Sequence, residues 1–257
     1  MKNRDFIITS LQPWDIEIGS TIKNTALEIS KNNRVLYINT PMDYSTRLRG
    51  NKNKAWTRRM DVIKKQASPI RQINEHMWIA DCPFCVLPVG GLPTTCLFDW
   101  INRINNRKIA DYIRQITAQL NFNNYIHLID TDIYRSQYLK EYLTPSLSIY
   151  YCRDFVIGES YWKKNGVRLE PLLAAKSDIV LANSTHFAER FRQYNRHTFS
   201  IETGVNLALY DGRKKWLIPE DIKPIPHPII GYVGTVNSTR LDSDLLLQIA
   251  EERPVYS

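Results

Sequence analysis

Short apolar runs alternate with stretches of helical period along most of the chain. Residues 6–9 (Phe-Ile-Ile-Thr) predict a first strand, broken at Gln12-Pro13-Trp14-Asp15. The stripe Ile18, Ile22, Ala26 and Ile29 then has the three-to-four-residue spacing of an amphipathic helix reaching Lys31. Runs at 35–39, 77–80, 125–129, 147–151, 179–182 and 198–202 predict six further strands. Apolar positions at 97, 101, 104, 109, 113, 116 and 120 predict the longest helix, adjusted near Asn105-Asn106, and shorter helices are predicted at 56–66, 134–142, 169–175 and 185–194. Ser184 or Thr185 suits the cap of the last of these. Strand and helix in regular alternation predict an α/β fold, a mainly parallel sheet with helices on both faces.

Beyond residue 198 the pattern changes. Pro219, Pro224, Pro226 and Pro228 fall within ten residues, and each fixes its own φ and turns the residue before it away from helix. Ile230 to Gly234 predicts a buried strand ending at a turn, and 243–252 predicts a helix with Leu246, Ile249 and Ala250 on one face. The expected organisation is a domain over 1–212 with an insert at 42–76, a linker at 213–228, and the first strand and helix of a second domain, cut short, over 229–257.

The 257 residues are 43% apolar and 11% aromatic, enough to fill a core. No apolar run approaches the ~18 residues a membrane span needs. The first residues do not read as a signal peptide, and cysteines at 82, 85, 96 and 152 do not read as a disulfide framework, so a cytoplasmic chain is expected. The formal charge of +8 is local. Of 34 basic and 26 acidic residues, nine bases and a single acid, Asp61, fall within 47–71, leaving 25 of each elsewhere. Arg47, Arg49, Lys52, Lys54, Arg58, Arg59, Lys64 and Lys65, interleaved with Trp56, suit a segment lying on an anionic membrane at its inner face. A solvated basic loop is the plain alternative, and no motif accompanies the patch that would favour nucleic acid.

In open α/β sheets ligands bind outside the carboxyl ends of the strands. The polar residues there are Gln12, Trp14 and Asp15, Asp130 and Asp132, Asp154, Asn183 and Ser184, and Glu202. Asp, Asn and Ser also serve as turn residues and helix caps, which accounts for most of these positions equally well. Asp154 is the exception, since no helix start follows it to be capped. Cys82-Pro83-Phe84-Cys85 precedes Pro and Gly rather than a helix, which disfavours thiol redox chemistry, and no second close pair of ligands supports zinc. Phosphate-loop, dinucleotide-binding, serine-hydrolase and zinc-protease motifs are absent.

The chain resembles the N-terminal half of a GT-B glycosyltransferase of the large retaining family that uses nucleotide sugars. Ser177-Asp178-Ile179-Val180-Leu181-Ala182-Asn183-Ser184-Thr185, followed by Ile201-Glu202-Thr203-Gly204-Val205-Asn206, is similar to two successive strand ends of that family. The segment 229–250, the Gln-Pro-Trp-Asp opening and the Cys152-Arg153-Asp154-Phe155 strand end resemble a subgroup found in polysaccharide and teichuronic-acid-type gene clusters. The resemblance implies two facing Rossmann-like, doubly wound domains, the first for the acceptor and the second for the nucleotide sugar, with no metal or other cofactor. It implies that Asp154 is catalytic and that Trp14, Asp15 and Gly19 form the loop near the donor diphosphate. Asp130, Asp132, Asn183, Ser184, Glu202, Gly204, Asn206, Gly234 and Thr235 would line the cleft. The expected partners are a nucleotide-sugar donor, a glycan or lipid-linked acceptor in cell-surface polysaccharide assembly, and an anionic membrane surface. Because the second domain's donor-binding residues are not found, the chain is expected to be inactive alone. The competing expectation is a non-catalytic binding or scaffolding domain, or a degenerate fragment, at the membrane surface.

Overall fold

The structure, a computed structural model, describes residues 1–16, 19–51, 53–204, 210–234 and 241–252. The chain divides into two units, Met1–Asn206 and Leu207–Ser257.

The first unit is built on one sheet of eight strands: β1 (Asp5–Ser10), β2 (Arg34–Ile38), β3 (Ile70–Asn74), β4 (Met77–Ala80), β5 (Ile126–Asp130), β6 (Leu147–Cys152), β7 (Ile179–Ala182) and β8 (Thr198–Ser200), in the order β3-β4-β2-β1-β5-β6-β7-β8. All pairings are parallel except that of β3 with β4. Setting β3 aside, the order starts from β1 and runs outward in both directions, which is the doubly wound, Rossmann-like arrangement. Its switch point lies between β1 and β5, where Phe6 pairs with Ile126 and Ser10 with Asp130.

Side-chain alternation along the strands distributes the core between two faces. Ile7, Leu36 and Ile38 pack with Ile109, Ile113 and Ile116 of α4 (Thr95–Gln119) and with Leu139 of α5 (Leu139–Leu143). Tyr150, Cys152 and Val180 meet Leu169 and Leu173 of α6 (Ser160–Lys176) and Phe191 of α7 (Thr185–Arg192). Phe6, Ile8, Val35 and Tyr37 turn the other way, onto Ile22 and Ala26 of α1 (Thr21–Ser30). Each such buried side chain contributes about 1.5–3 kcal/mol relative to exposure, so the sheet is the most stabilised part of the unit.

The basic insert has more structure than its sequence predicts. Asp43 caps α2 (Tyr44–Arg49), accepting from Thr46 N at 2.7 Å, and Asn53 caps α3 (Lys54–Ile63), accepting from Trp56 N at 2.8 Å. Both caps stood in the sequence but were hidden among lysines and arginines. α4 is not adjusted at Asn105-Asn106. Both side chains are buried and are spent on loop backbone, Asn105 donating to Leu87 O and accepting from Leu87 N, Asn106 donating to Tyr134 O. α5 is shorter than predicted and α6 much longer, its apolar stripe obscured by Gly166 and Pro171.

In the second unit, α8 (Ser243–Glu252) forms as predicted, with Asp242 accepting from Asp244 N and Leu245 N. The strand expected from Ile230 to Gly234 is not there. Ile230 and Val233 are exposed, so without sheet partners the apolar run has no ladder to join. The predicted apolar face of α8 is likewise uncovered, with no buried residue on the helix.

Candidate functional site

Polar residues gather at the switch point, past the carboxyl ends of β1 and β5, the place where ligands bind in open α/β sheets. Arg153, just past β6, reaches back among them. Its Nε donates to Asp130 Oδ1 at 3.0 Å and its Nη2 to Asp130 Oδ2 at 3.3 Å and to Gln12 Oε1 at 3.2 Å. Ser10 Oγ donates to Asp130 Oδ2 at 2.6 Å. Backbone holds the arginine from behind: Arg153 N donates to Thr131 Oγ1, and Asn183 Nδ2 donates to Arg153 O. Asp130 is fully buried, and burial pushes its carboxyl above the usual carboxylate range against the pull of Arg153 and Ser10. Asp154 stands at the rim with its side chain 52% exposed, 3.3 Å from Arg153 Nη1.

A second polar network ties down the loop after β1. Asn39, past β2, donates through Nδ2 to Asp15 Oδ1 at 2.8 Å and Asp81 Oδ1 at 2.7 Å, and its Oδ1 accepts from Trp14 N at 2.7 Å. Tyr37 donates to Gln12 O, and its ring meets Trp14 edge-on at 5.3 Å between centroids. Asp15 and Trp14 therefore serve the loop's own geometry.

The same network draws in part of the basic insert. Arg58 Nε donates to Asp81 Oδ2 at 3.1 Å, Arg71 Nε lies 3.6 Å from the same oxygen, and Arg59 Nη2 lies 3.6 Å from Asp15 Oδ2. Asp81 is fully buried, so these arginines compensate charge that would otherwise be costly there. Trp56 packs against the buried cluster of Met42, Met60 and Cys85. Within the segment expected to lie on a membrane, Trp56, Arg58 and Arg59 are half-buried and turned inward, while Arg47, Arg49, Lys54, Lys64 and Lys65 are exposed.

Between α3, the loop after β1 and the turn after β5 lies a pocket of about 390 Å³. Its walls include Leu11, Met42, Trp56, Trp162 and two arginines, Arg59 and Arg135. Arg135 is placed by the turn after β5, its N–H donating to Asp132 Oδ1 at 3.1 Å. Burial pushes the Asp132 carboxyl up, opposed by Arg135.

The remaining predicted positions separate. Ser184 is the N-cap of α7, accepting from Phe187 N, which is the structural role its sequence allowed. Asn183 joins the Arg153 cluster. Glu202, with a left-handed φ of 54°, and Gly204 are exposed past β8. Gly19 is exposed with open space where a Cβ would stand, and Gly234 lies in the second unit. Lys52, Asn206 and Thr235 lie outside the described residues. Arg153 and Arg135 are the side chains the sequence reading passed over. Their signal was an arginine one to three residues from a strand-end aspartate, Asp154 and Asp132 respectively.

Fold and site together define an α/β, Rossmann-like domain with a polar cluster and a cationic pocket at its switch point. No family model matches the sequence, and no curated protein does. Among solved structures the chain is similar to sucrose-phosphate synthase from Thermosynechococcus elongatus, with a TM-score of 0.45 and 11% identity, over 82% of this chain and 96% of that one. Among the described residues no helix is long and apolar enough to cross a membrane, and no group of three His, Cys, Asp or Glu side chains is placed to hold a metal ion.

Proposed function

We propose that the unit Met1–Asn206 is the acceptor-side domain of a GT-B, nucleotide-sugar-dependent glycosyltransferase, working on a membrane-associated glycan or lipid-linked acceptor in surface polysaccharide assembly. Two lines support the reading: the sequence resemblance of its strand ends to that family, and the parallel, Rossmann-like strand order that puts those ends on one edge of the sheet. The observation that carries it is the division of labour among the strand-end carboxylates. Asp130 is consumed by Arg153 and Ser10, and Asp15 by Asn39, whereas Asp154, past the carboxyl end of β6, keeps half its side chain exposed.

A carboxylate in that place can accept a hydrogen bond from an acceptor hydroxyl and orient it, or face positive charge developing at the sugar carbon. Arg153 holds Asp154 by one side, 3.3 Å away, which fixes its direction. Trp14 and Asp15 shape the loop that carries Gly19, and on this reading it is the uncovered backbone at Gly19 that approaches a donor diphosphate. Donor capture belongs to a second Rossmann-like domain, and the described residues after Leu207 form one helix and no strand. The chain alone is therefore expected to bind acceptor sugar without turning over donor.

Saturation-transfer NMR with a panel of mono- and disaccharides, beside calorimetric titration with uridine, guanosine and thymidine diphosphate sugars, tests the assignment. Sugar signals that weaken in Asp154→Asn, with no donor binding, are the expected result. Micromolar donor binding with turnover would place a donor site in the first unit and end the acceptor-side reading. The uncovered face of α8 and the exposed run at Ile230 to Gly234 favour the second reading, a non-catalytic binding or scaffolding domain or a degenerate fragment, and this would show as any sugar binding being indifferent to Asp154.

A further inference from the structure

Arg135 is a weakly paired charge in the wall of the pocket beside α3. Its side chain is 80% removed from solvent, being 20% exposed. Yet its guanidinium makes no hydrogen bond among the described residues, and the one carboxylate within ion-pair range, Asp132 Oδ1, is 4.0 Å away. A guanidinium carries five donors in a rigid fork, and holding it largely out of water with those donors unspent is costly unless something accepts from them. Arg59 in the same pocket is similar. It is 15% exposed, and its Nε and Nη2 are shielded without a hydrogen-bond acceptor, Asp15 standing at 3.6 Å. The indole Nε1 of Trp56, another wall residue, is also buried without an acceptor.

Acceptors are scarce on the opposite side. The carboxylate in the pocket wall is Asp43, whose Oδ1 already accepts from Thr46 N and Ser45 Oγ in capping α2. Burial pushes that carboxyl up, but those hydrogen bonds and the charge of Arg135 prevail and hold it below the usual range, so it stays an acceptor already in use. Among the other polar wall residues, Asn51 Oδ1 and Asn53 Oδ1 accept from the backbone N–H of Asn53 and Trp56, Thr40 Oγ1 donates to Ser10 O and Thr46 Oγ1 accepts from Arg49, while Pro41, Met42 and Trp162 supply apolar and aromatic surface. About 390 Å³ is room for a single sugar ring with a substituent, at the low end of ordinary ligand pockets.

We propose that this pocket takes a small sugar-like ligand bearing an oxyanion, a phosphate or a carboxylate, with Arg135 as its principal partner and Arg59 adding charge from behind. Planar, two-pronged recognition of oxyanions is what a guanidinium does better than an ammonium. The name of the occupant as an acceptor rests on the transferase reading above. The preference for an oxyanion rests on the pocket alone.

Calorimetry and indole N–H NMR on the whole chain would use glucose 1-phosphate, glucuronate, methyl glucoside and inorganic phosphate as probes. The sugar phosphate, the sugar carboxylate or both are expected to bind at least tenfold tighter than the neutral glycoside and than inorganic phosphate, and to shift the Trp56 indole resonance, assigned with Trp56→Phe. Comparing the two anionic sugars tells phosphate from carboxylate. Arg135→Met should abolish the preference and Arg135→Lys should retain part of it. Arg135 faces the buried Asp132 at 4.0 Å, so Arg135→Lys, which keeps the charge, is expected to melt with the wild type and Arg135→Met somewhat below it, with binding measured well below both transitions. Equal binding of neutral and anionic sugars, or an Arg135→Met variant that keeps the preference, overturns the inference and leaves the acceptor-side reading standing. Failure of every sugar to bind overturns both.

Discussion

Arg153 grips both oxygens of Asp130, at 3.0 and 3.3 Å, at a point in the sheet where the carboxylate has no access to water. The pair thus decides whether a buried charge is tolerated at the switch point. Removing one partner of such a pair costs about 3–5 kcal/mol, because the other is left uncompensated. Arg153→Met should lose that much in urea unfolding at pH 7. The loss should shrink at acid pH, where Asp130, already pushed up by burial, takes a proton and no longer needs the arginine. A loss below about 1 kcal/mol at pH 7 would show that Ser10 suffices.

Asp154 should behave in the opposite way. It is half exposed and makes one ion pair, so Asp154→Asn should leave stability within about 0.5 kcal/mol of wild type. In any donor–acceptor pair for which sugar transfer is found, the same change should slow transfer by about 100-fold. Unchanged transfer with unchanged folding would return Asp154 to a structural role.

His127 is fully buried, with Nε2 2.9 Å from Thr9 Oγ1, and Nδ1 has no hydrogen-bond partner among the described residues. Burial lowers its pKa from 6.5 to about 3. A depressed pKa means the unfolded chain binds the proton first. The neutral histidine therefore contributes stability above pH 6.5 that is lost as pH falls toward about 3, by about 1.4 kcal/mol per unit. Asp130 and Asp132, raised by burial, act in the contrary sense as pH rises, but both are present in wild type and variant and drop out of the comparison, which is made between pH 6 and 5, below the ordinary histidine range. Chemical unfolding there should show wild type losing about 1 kcal/mol more per unit than His127→Gln. Parallel slopes would exclude His127 as the group responsible.

The basic insert should separate by residue. Reversing Arg47 and Arg49 to Glu should reduce sedimentation with anionic vesicles at low salt while leaving the melting temperature unchanged, since both are exposed. Arg58→Ala should instead lower the melting temperature, because Arg58 compensates the buried Asp81. Sedimentation that ignores the Arg47 and Arg49 charges would remove the membrane from the account.

What was legible in the sequence follows from what side chains do alone and what they do in pairs. Apolar runs such as those at β1 and β5 announce themselves, because a strand buried on both faces reads as a mostly apolar run. α4 was legible by period, but Asn105 and Asn106 looked like a flaw until the loops they hold, at Leu87 and Tyr134, were in place. The run from Ile230 to Gly234 had the composition of a strand and lacked neighbours to pair with. In the site, the strand-end aspartates could be read from position. Which of them remain available could not, because Arg153, Asn39 and Arg58 arrive from other strand ends or from the insert.

β3 has a consequence for how the protein behaves in a crowded solution. It runs antiparallel along β4, with a register shift between Gln72 and Asn74, and it ends the sheet on that side. Without it, Met77-Trp78-Ile79-Ala80 would offer an open apolar ladder to any passing strand, the usual start of edge-to-edge aggregation. The insert places there a strand that is irregular and largely polar, with Arg71 tethered inward toward Asp15 and Asp81. At the other end of the sheet, β8 is three residues long and offers little to extend. A segment that looks like a detachable basic loop is thus also a guard against self-association, and excising residues 42–76 to study the remainder would trade a charged loop for a sticky edge.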